Sequence, residues 1–501
     1  MSFVFSCPPP FSTPMRRSVF RITALFFLCA FALSIVGATA GETPNVIFIL
    51  ADDLGYGDIG CYGQRLIQTP ILDRIAAEGV RFTQFYAGST VCAPSRGVLM
   101  TGKHVGHATV RGNAGGPRAD NIASRGQTLR ADDVTIAASL KKGGYATALI
   151  GKWGLGELGS GGEPTRQGFD YFFGYLNQHH AHNYYPAFLT RNETLIPLKN
   201  EVPGEGPFGD GVATKKVEYS ADLFADEALK WIEEKKGGPF FLHLALTTPH
   251  ANNEAGRTLK NGQEVPDLGP YADRDWTGPN KGQAAMITRM DSDIGRILAL
   301  LKKLDLDRKT LVVFTSDNGP HKEGGNDPAF FNASGGLRGI KRDLYEGGIR
   351  VPFIARWPGT IAPGQVSRHV AYFGDVFATL TDLAGLQAPA NLDSISFAPT
   401  LLGQPDKQAR HEFLYWEFHE GGTKQAVLLG ANWKAVRTSP TAKLELFDLA
   451  TDPAESRNVA GDHPEIADVI EAYLRTARTE SADWPIREPQ EKKRADPPRN
   501  N

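Results

Sequence analysis

Cysteine and methionine are scarce in this chain of 501 residues, with four of one and five of the other. Four cysteines at this length exclude a disulfide scaffold. Charge of one sign is missing too: 54 lysines and arginines stand against 56 aspartates and glutamates, a formal net charge of −2. That balance argues against a nucleic-acid binder held by phosphate neutralisation. No internal repeat is visible, and past residue 40 no apolar run approaches the roughly twenty residues that cross a bilayer. What remains is 41% hydrophobic and 22% charged, with 54 glycines and 33 prolines, a globular composition neither disordered nor collagen-like. Length alone allows about three domains, a count that large α/β units lower, and a sizeable core is easily buried at this size.

The first forty residues read as a secretory signal. Arg16, Arg17 and Arg21 open it, an apolar run follows from Ile22 to Val36, and Ala38-Thr39-Ala40 supplies a small-residue cleavage pattern. The run is short for a retained anchor, so an exported protein, periplasmic or extracellular, with no stable membrane anchor is expected. The stretch before Arg16 (SCPPPFSTP) is unlike a usual leader, which makes Met15 an alternative start. Cleavage after Ala40 removes Cys7 and Cys29 and leaves Cys61 and Cys92.

The body alternates strand and helix patterns, which predicts an α/β fold with a mostly parallel sheet flanked by helices. Asn45 to Leu50 is a short apolar run, as a strand buried on both faces should be. It ends at Asp52-Asp53. Val134 to Lys142 reads as a helix closed by Gly143-Gly144, and the strand Tyr145 to Ile150 runs into Gly151-Lys152-Trp153. Pro239 to Leu246 leads to Thr247-Thr248-Pro249-His250. Residues 284 to 303 have helical periodicity and precede Thr310 to Ser316, which ends at Asp317-Asn318. Four strands therefore release Asp, Lys, His and Asp-Asn just past their carboxyl ends, where open α/β sheets bind ligands.

Composition shifts near Leu402 to Arg410, a candidate linker. Beyond it, Phe413–Phe418, Ala426–Leu429, Lys434–Arg437 and Leu444–Asp448 predict a small antiparallel sheet, and His463 to Thr479 predicts a helix. The expected division is a signal peptide at 1–40, a main domain at 41–408, a smaller C-terminal α+β subdomain at 409–485, and a flexible tail at 486–501.

The strongest local signal is Cys92-Ala93-Pro94-Ser95-Arg96-Gly97-Val98-Leu99-Met100-Thr101-Gly102. Pro94 suits a first helical position, placing Cys92 just ahead of a helix N-terminus. Arg96, about one turn on, returns to the same face, and a helix start with an arginine makes an anion site. The pattern C-x-P-S-R-x-x-x-x-T-G resembles the signature of type I, formylglycine-dependent sulfatases, here in a bacterial arylsulfatase-like form. Six fixed positions in eleven are seldom met by chance, and the likeness runs from Asn45-Val46 to Trp433-Lys434.

The resemblance implies an alkaline-phosphatase-like fold and a sulfuric ester hydrolase. It implies that Cys92 is converted by a formylglycine-generating maturase to 3-oxoalanine, the source of the nucleophile. Asp52, Asp53, Asp317 and Asn318, with Cys92, match the family's metal site, and hard oxygen ligands suit Ca²⁺. Arg96 corresponds to the arginine that orients the nucleophile, Lys152 and Lys341 to sulfate-binding lysines, and His250 to the acid for the leaving oxygen. A sulfated glycan is the expected substrate ahead of an aryl sulfate, as in sulfated polysaccharide degradation.

One position departs from the pattern. The family's run after Lys-Trp is His-Leu-Gly, whereas this chain has Gly154-Leu155-Gly156. The missing histidine is the family's base for regenerating the aldehyde, and His179 or His182 is expected to replace it, with His104 a third candidate. Arg111, Asn113, Glu417 and His419 are expected substrate contacts. The glycosylation sequons at Asn192 and Asn332 carry little weight, and a Cys61–Cys92 disulfide would consume the nucleophile. Two competing functions remain: a phosphodiesterase or phosphonate hydrolase of the same superfamily, and a non-catalytic binder of sulfated glycans. Asn318 stands where zinc-dependent phosphatases carry histidine, which disfavours the first.

Overall fold

The computed structural model describes residues 43–113, 128–206 and 208–489. The expected leader and the end of the charged tail lie outside the described residues.

The architecture follows from the alternation of apolar side chains along the strand Asn45–Ala51, buried at every position. Val46, Phe48 and Leu50 point into one core, and Ile47, Ile49 and Ala51 into the other. Such a strand must be covered on both sides, and helices do so. Cys92–Thr101, Ile136–Lys142 and Phe373–Leu383 lie on the first side; Pro70–Ala77, Ser220–Lys235 and Gly278–Lys303 lie on the second.

The large sheet has ten strands in the order Gln365–Ser367, Val80–Phe82, Phe353–Arg356, Thr310–Ser316, Asn45–Ala51, Phe240–Ala245, Ala146–Lys152, Tyr171–Tyr175, Phe188–Arg191 and Thr194–Pro197. The central five, from Thr310–Ser316 to Tyr171–Tyr175, are mutually parallel. Phe353–Arg356 runs antiparallel to both of its neighbours, and the far edge closes with an antiparallel pair. Ala51 pairs with Ser316, Leu50 with Ala245, and Gly151 with Ala245. This register aligns the carboxyl ends, so residues 52–53, 152, 246–250 and 317–318 leave the sheet along one edge.

A four-stranded antiparallel sheet follows, Phe413–Phe418, Lys424–Leu429, Trp433–Arg437 and Glu445–Asp448, with a helix over Pro464–Leu474, shorter than its sequence predicted. Leu414, Tyr415, Trp416, Val427 and Leu446 belong to the same core cluster as Val46 and Phe48. The small sheet is therefore packed onto the large one through continuous apolar contact.

Candidate active site

The helix that carries the signature begins at Cys92 itself, with Val91 as its extended N-cap and all ten residues buried. Pro94 is thus its third residue, not its first as expected. The first-turn N–H groups have no intrahelical acceptor, so a proline fits anywhere in that turn. Asn113 completes the helix start: its Oδ1 accepts the Ala93 N–H at 2.8 Å.

At the sheet edge the backbone turns sharply at Asp53, which has φ 64°. The turn is held by Asp53 N–H to Asp317 Oδ1 at 3.1 Å and Leu54 N–H to Ser316 Oγ at 2.9 Å. Three carboxylates, Asp52, Asp53 and Asp317, meet there with no exposure to solvent. Cys92 Sγ lies 3.3 Å from Asp52 Oδ1 and 4.0 Å from Asp53 Oδ1. Arg96 gives its Nε and Nη2 to Asp317 Oδ2 at 2.9 and 2.8 Å, and its Nη1 to the Lys152 carbonyl at 2.7 Å. Lys152 Nζ reaches Asp52 Oδ2 at 2.6 Å. Lys341 Nζ binds Asp53 Oδ2 at 2.8 Å, Glu323 Oε2 at 2.9 Å and His250 Nε2 at 3.2 Å. The structure thus gathers Cys92, Arg96, Lys152, His250, Lys341 and the acidic groups from six separate segments.

The electrostatics follow from burial and pairing. Burial raises the Asp52 carboxyl, but Lys152, His250 and Arg96 overcome it and hold the group below the usual carboxylate range. Asp317 goes the other way, pushed up to about 7 by burial and by the neighbouring Asp52. Burial and then Lys341 push His250 down to about 3. Burial and then Asp52 push the Cys92 thiol well up, so this environment opposes a thiolate.

The donors fit a hard divalent cation. Asp52, Asp53 and Asp317 supply carboxylate oxygens, and Asn318 Oδ1 is buried without a hydrogen-bond partner among the described residues. Its amide Nδ2 is committed to Asp53 Oδ1 at 2.7 Å, which fixes the orientation. Oxygen donors of this kind suit Ca²⁺ or Mg²⁺ rather than a soft metal.

The expected replacements for the histidine at position 154 lie on the neighbouring wall. Gly154 has φ 75°, and a Cβ there would meet Gln178 Nε2 at 2.0 Å. Gln178 therefore fills the space beside it. His182 stacks on His250, with centroids 5.0 Å apart and planes 10° apart, and its Nδ1 is 3.3 Å from Glu254 Oε2. His179 stacks on Phe208 and lies 5.3 Å from the His182 ring. His104 belongs elsewhere, in a cluster with His107 and Asp393.

The expected substrate contacts pair with one another. Arg111 Nη1 meets Glu417 Oε1 at 3.2 Å, and His419 Nε2 meets the same oxygen at 3.0 Å. Arg478 and the Tyr415 hydroxyl occupy Oε2. Glu417 has no exposure at all. Arg111, Glu417 and His419 thus neutralise one another inside the protein, and Asn113 serves as the acceptor at the helix start. Cys61 and Cys92 are both free, so no disulfide consumes Cys92.

Sequence reasoning passed over Glu323, His321, Glu254 and Gln178. Glu323 follows Asn318 by five residues and Glu254 follows His250 by four. That proximity was the available signal.

An aligned sheet edge, a buried cluster of oxygen donors and three flanking cations define a hydrolase that acts on esters of tetrahedral oxyanions. The sulfatase family model matches residues 44–386, and that of the N-sulphoglucosamine sulphohydrolase C-terminal region matches 339–480. The chain belongs to the sulfatase family, and its activity is sulfate ester hydrolysis. It is 32% identical to mouse N-acetylgalactosamine-6-sulfatase, over 86% of this chain and 79% of that one. It is also 32% identical to human arylsulfatase A, over 87% of each. The solved structure of Ps i-CgsB with k-i-k-neocarrahexaose shares the fold at a TM-score of 0.71 and 24% identity, covering 89% of this chain and 95% of that one.

Proposed function

We propose that the protein is an exported, calcium-dependent sulfatase that removes sulfate from a carbohydrate, with Cys92 converted to formylglycine by a maturase. The observation that carries this reading is the environment of Cys92. A thiol pressed against Asp52 and raised by burial is a poor nucleophile, yet it stands beside every group suited to a sulfate ester. Formylglycine supplies a hydrated aldehyde, whose hydroxyl can attack sulfur without requiring a thiolate.

Asp52, Asp53, Asp317 and Asn318 would hold Ca²⁺, which contributes positive charge beside the sulfate oxygens. Lys152, held on Asp52, and Lys341, held on Asp53, border the same carboxylate cluster and would stabilise the charge that spreads over those oxygens. Arg96, fixed by Asp317 and by the Lys152 carbonyl, keeps the face of residue 92 oriented. His250 Nε2 faces Lys341 at 3.2 Å, and once protonated there the imidazolium would pass that proton to the leaving oxygen and return to the neutral ring. An anion between the two lysines offsets their charge and raises the low basicity of His250. His182 is engaged with Glu254 and with the His250 ring, which leaves His179 as the nearby imidazole for the base role that Gly154 cannot fill.

The carbohydrate assignment is supported by the relative named for N-acetylgalactosamine-6-sulfate and by the oligosaccharide in the structurally similar protein. Among the described residues no helix is long and apolar enough to cross a membrane. The test combines two measurements on protein from its native host. Peptide mass spectrometry of the Cys92 segment is expected to find the aldehyde in place of the thiol. Ion chromatography is expected to find free sulfate released from sulfated oligosaccharides, and none from the Cys92→Ala variant. Sulfate release undiminished in that variant would refute the nucleophile assignment.

A further inference from the structure

His250 is flanked by two near-parallel imidazoles. His182 lies 5.0 Å away at 10°, and His321 lies 5.9 Å away at 21°. All three are buried, and they come from three segments that meet only in the fold. The hydrogen bonds assign distinct tasks to the flanking rings. His321 Nδ1 accepts the Glu323 N–H at 3.0 Å, and its Nε2–H faces the Pro249 carbonyl at 3.1 Å. Both of its nitrogens are thus engaged with backbone, which makes it a fixed wall. His182 is held through Nδ1 by the Glu254 carboxylate in the first turn of the helix Asn253–Leu259. Its other neighbour is the His179 ring.

Between these walls, His250 has one orientation. Its Nδ1–H donates to the Ala251 carbonyl at 2.7 Å, which leaves Nε2 facing Lys341 at 3.2 Å and Asp53 Oδ2 at 3.4 Å. A single bond to the adjacent carbonyl does not by itself prevent the ring from flipping, because an imidazole rotated about Cβ–Cγ can hydrogen bond through other atoms. The flanking rings remove that freedom.

We propose that His182, oriented by Glu254, is a positioning residue that clamps His250 so that its Nε2 faces the leaving oxygen. The proposal rests on the assignment of His250 as the leaving-group acid. It explains why a carboxylate–histidine pair lies at this wall, and it assigns to His182 a role distinct from that of His179, which stacks on Phe208 instead.

Leaving-group dependence tests it, because a sugar alkoxide needs a proton and a nitrophenolate scarcely does. His182→Ala is expected to lower kcat/KM for a sulfated sugar about a hundredfold, within the range of general acid catalysis, while 4-nitrophenyl sulfate falls less than about threefold. The loss should appear in kcat, with KM little changed. His182→Phe keeps a flat ring against His250 and is expected to restore most of the activity. Imidazole nitrogen NMR, on protein whose Cys92 is left unmodified, should report one His250 tautomer in the parent and averaging in His182→Ala. Equal losses on both substrates, no rescue by phenylalanine, or an unchanged His250 signal would each overturn the clamp. A His250→Ala variant that itself lacks leaving-group dependence would instead refute the acid assignment beneath it.

Discussion

Three carboxylates in one buried space repel one another, and the protein answers with Arg96, Lys152 and Lys341. The answer is uneven. Asp52 and Asp53 each hold a lysine at 2.6 and 2.8 Å, whereas Asp317 must share the Arg96 guanidinium and is pushed up to about 7 by burial and Asp52. A divalent cation among these oxygens would relieve the repulsion and also satisfy Asn318 Oδ1. Removal of calcium with a chelator is therefore expected to lower both the activity and the melting temperature, and readdition should restore them. A ligand that binds only the native state at a hundred times its Kd adds about 2.7 kcal/mol. Asp317→Ala should show no calcium-dependent shift in a thermal melt. A melt of the parent protein indifferent to calcium and to chelator would reject the site.

At the scale of elements, the helix Cys92–Thr101 lacks a side-chain cap of its own, since Val91 offers none. Asn113 supplies the acceptor from the loop that follows the helix. Asn113→Ala is expected to cost about 1 kcal/mol, as for the loss of a helix cap, and to lower activity because Cys92 is the first residue of that helix. A denaturant midpoint unchanged in this variant would show that the bond contributes nothing. The same residue illustrates what spacing can reveal. Val110-Arg111-Gly112-Asn113 lies close enough to the signature to suggest substrate contact, but proximity does not distinguish a group facing the ligand from one facing the protein. The strands Asn45–Ala51 and Thr310–Ser316 were legible because both faces are buried and the run is unbroken. Val80–Phe82, Phe353–Arg356 and Gln365–Ser367 were not, being three or four residues long at the sheet's antiparallel side. Glu254 enters the site from the first turn of a short helix and His321 from a loop, placements that no periodicity records.

For the whole molecule, the question is what ties the small sheet to the large one beyond apolar contact. The linker composition near Leu402 to Arg410 suggested a divisible chain, yet buried ion clusters span the two parts. Glu417, on the small sheet, meets Arg111 from the main body, and Lys434 meets Glu346 at 3.1 Å and Glu455 at 3.2 Å with no exposure. Burial raises Glu417, but His419, Arg111 and Arg478 overcome it and bring the group from its ordinary 4.5 to about 2. A carboxyl depressed in the folded state stabilises the protein fully above its unfolded value and loses that contribution as pH falls through the folded one. The stabilisation from Glu417 should thus be complete above about pH 5 and fade toward pH 2, a loss of about 3 kcal/mol over that window. Glu417→Gln leaves Arg111 and Arg478 without their buried partner and is expected to cost about 3–5 kcal/mol at neutral pH, with a shallower acid dependence than the parent. Calorimetric melts of both proteins between neutrality and the acid limit would check this. Parallel curves would mean that the acid sensitivity of the fold lies elsewhere than at Glu417, with the cluster of Lys434, Glu346 and Glu455 the remaining buried ionic tie between the two sheets.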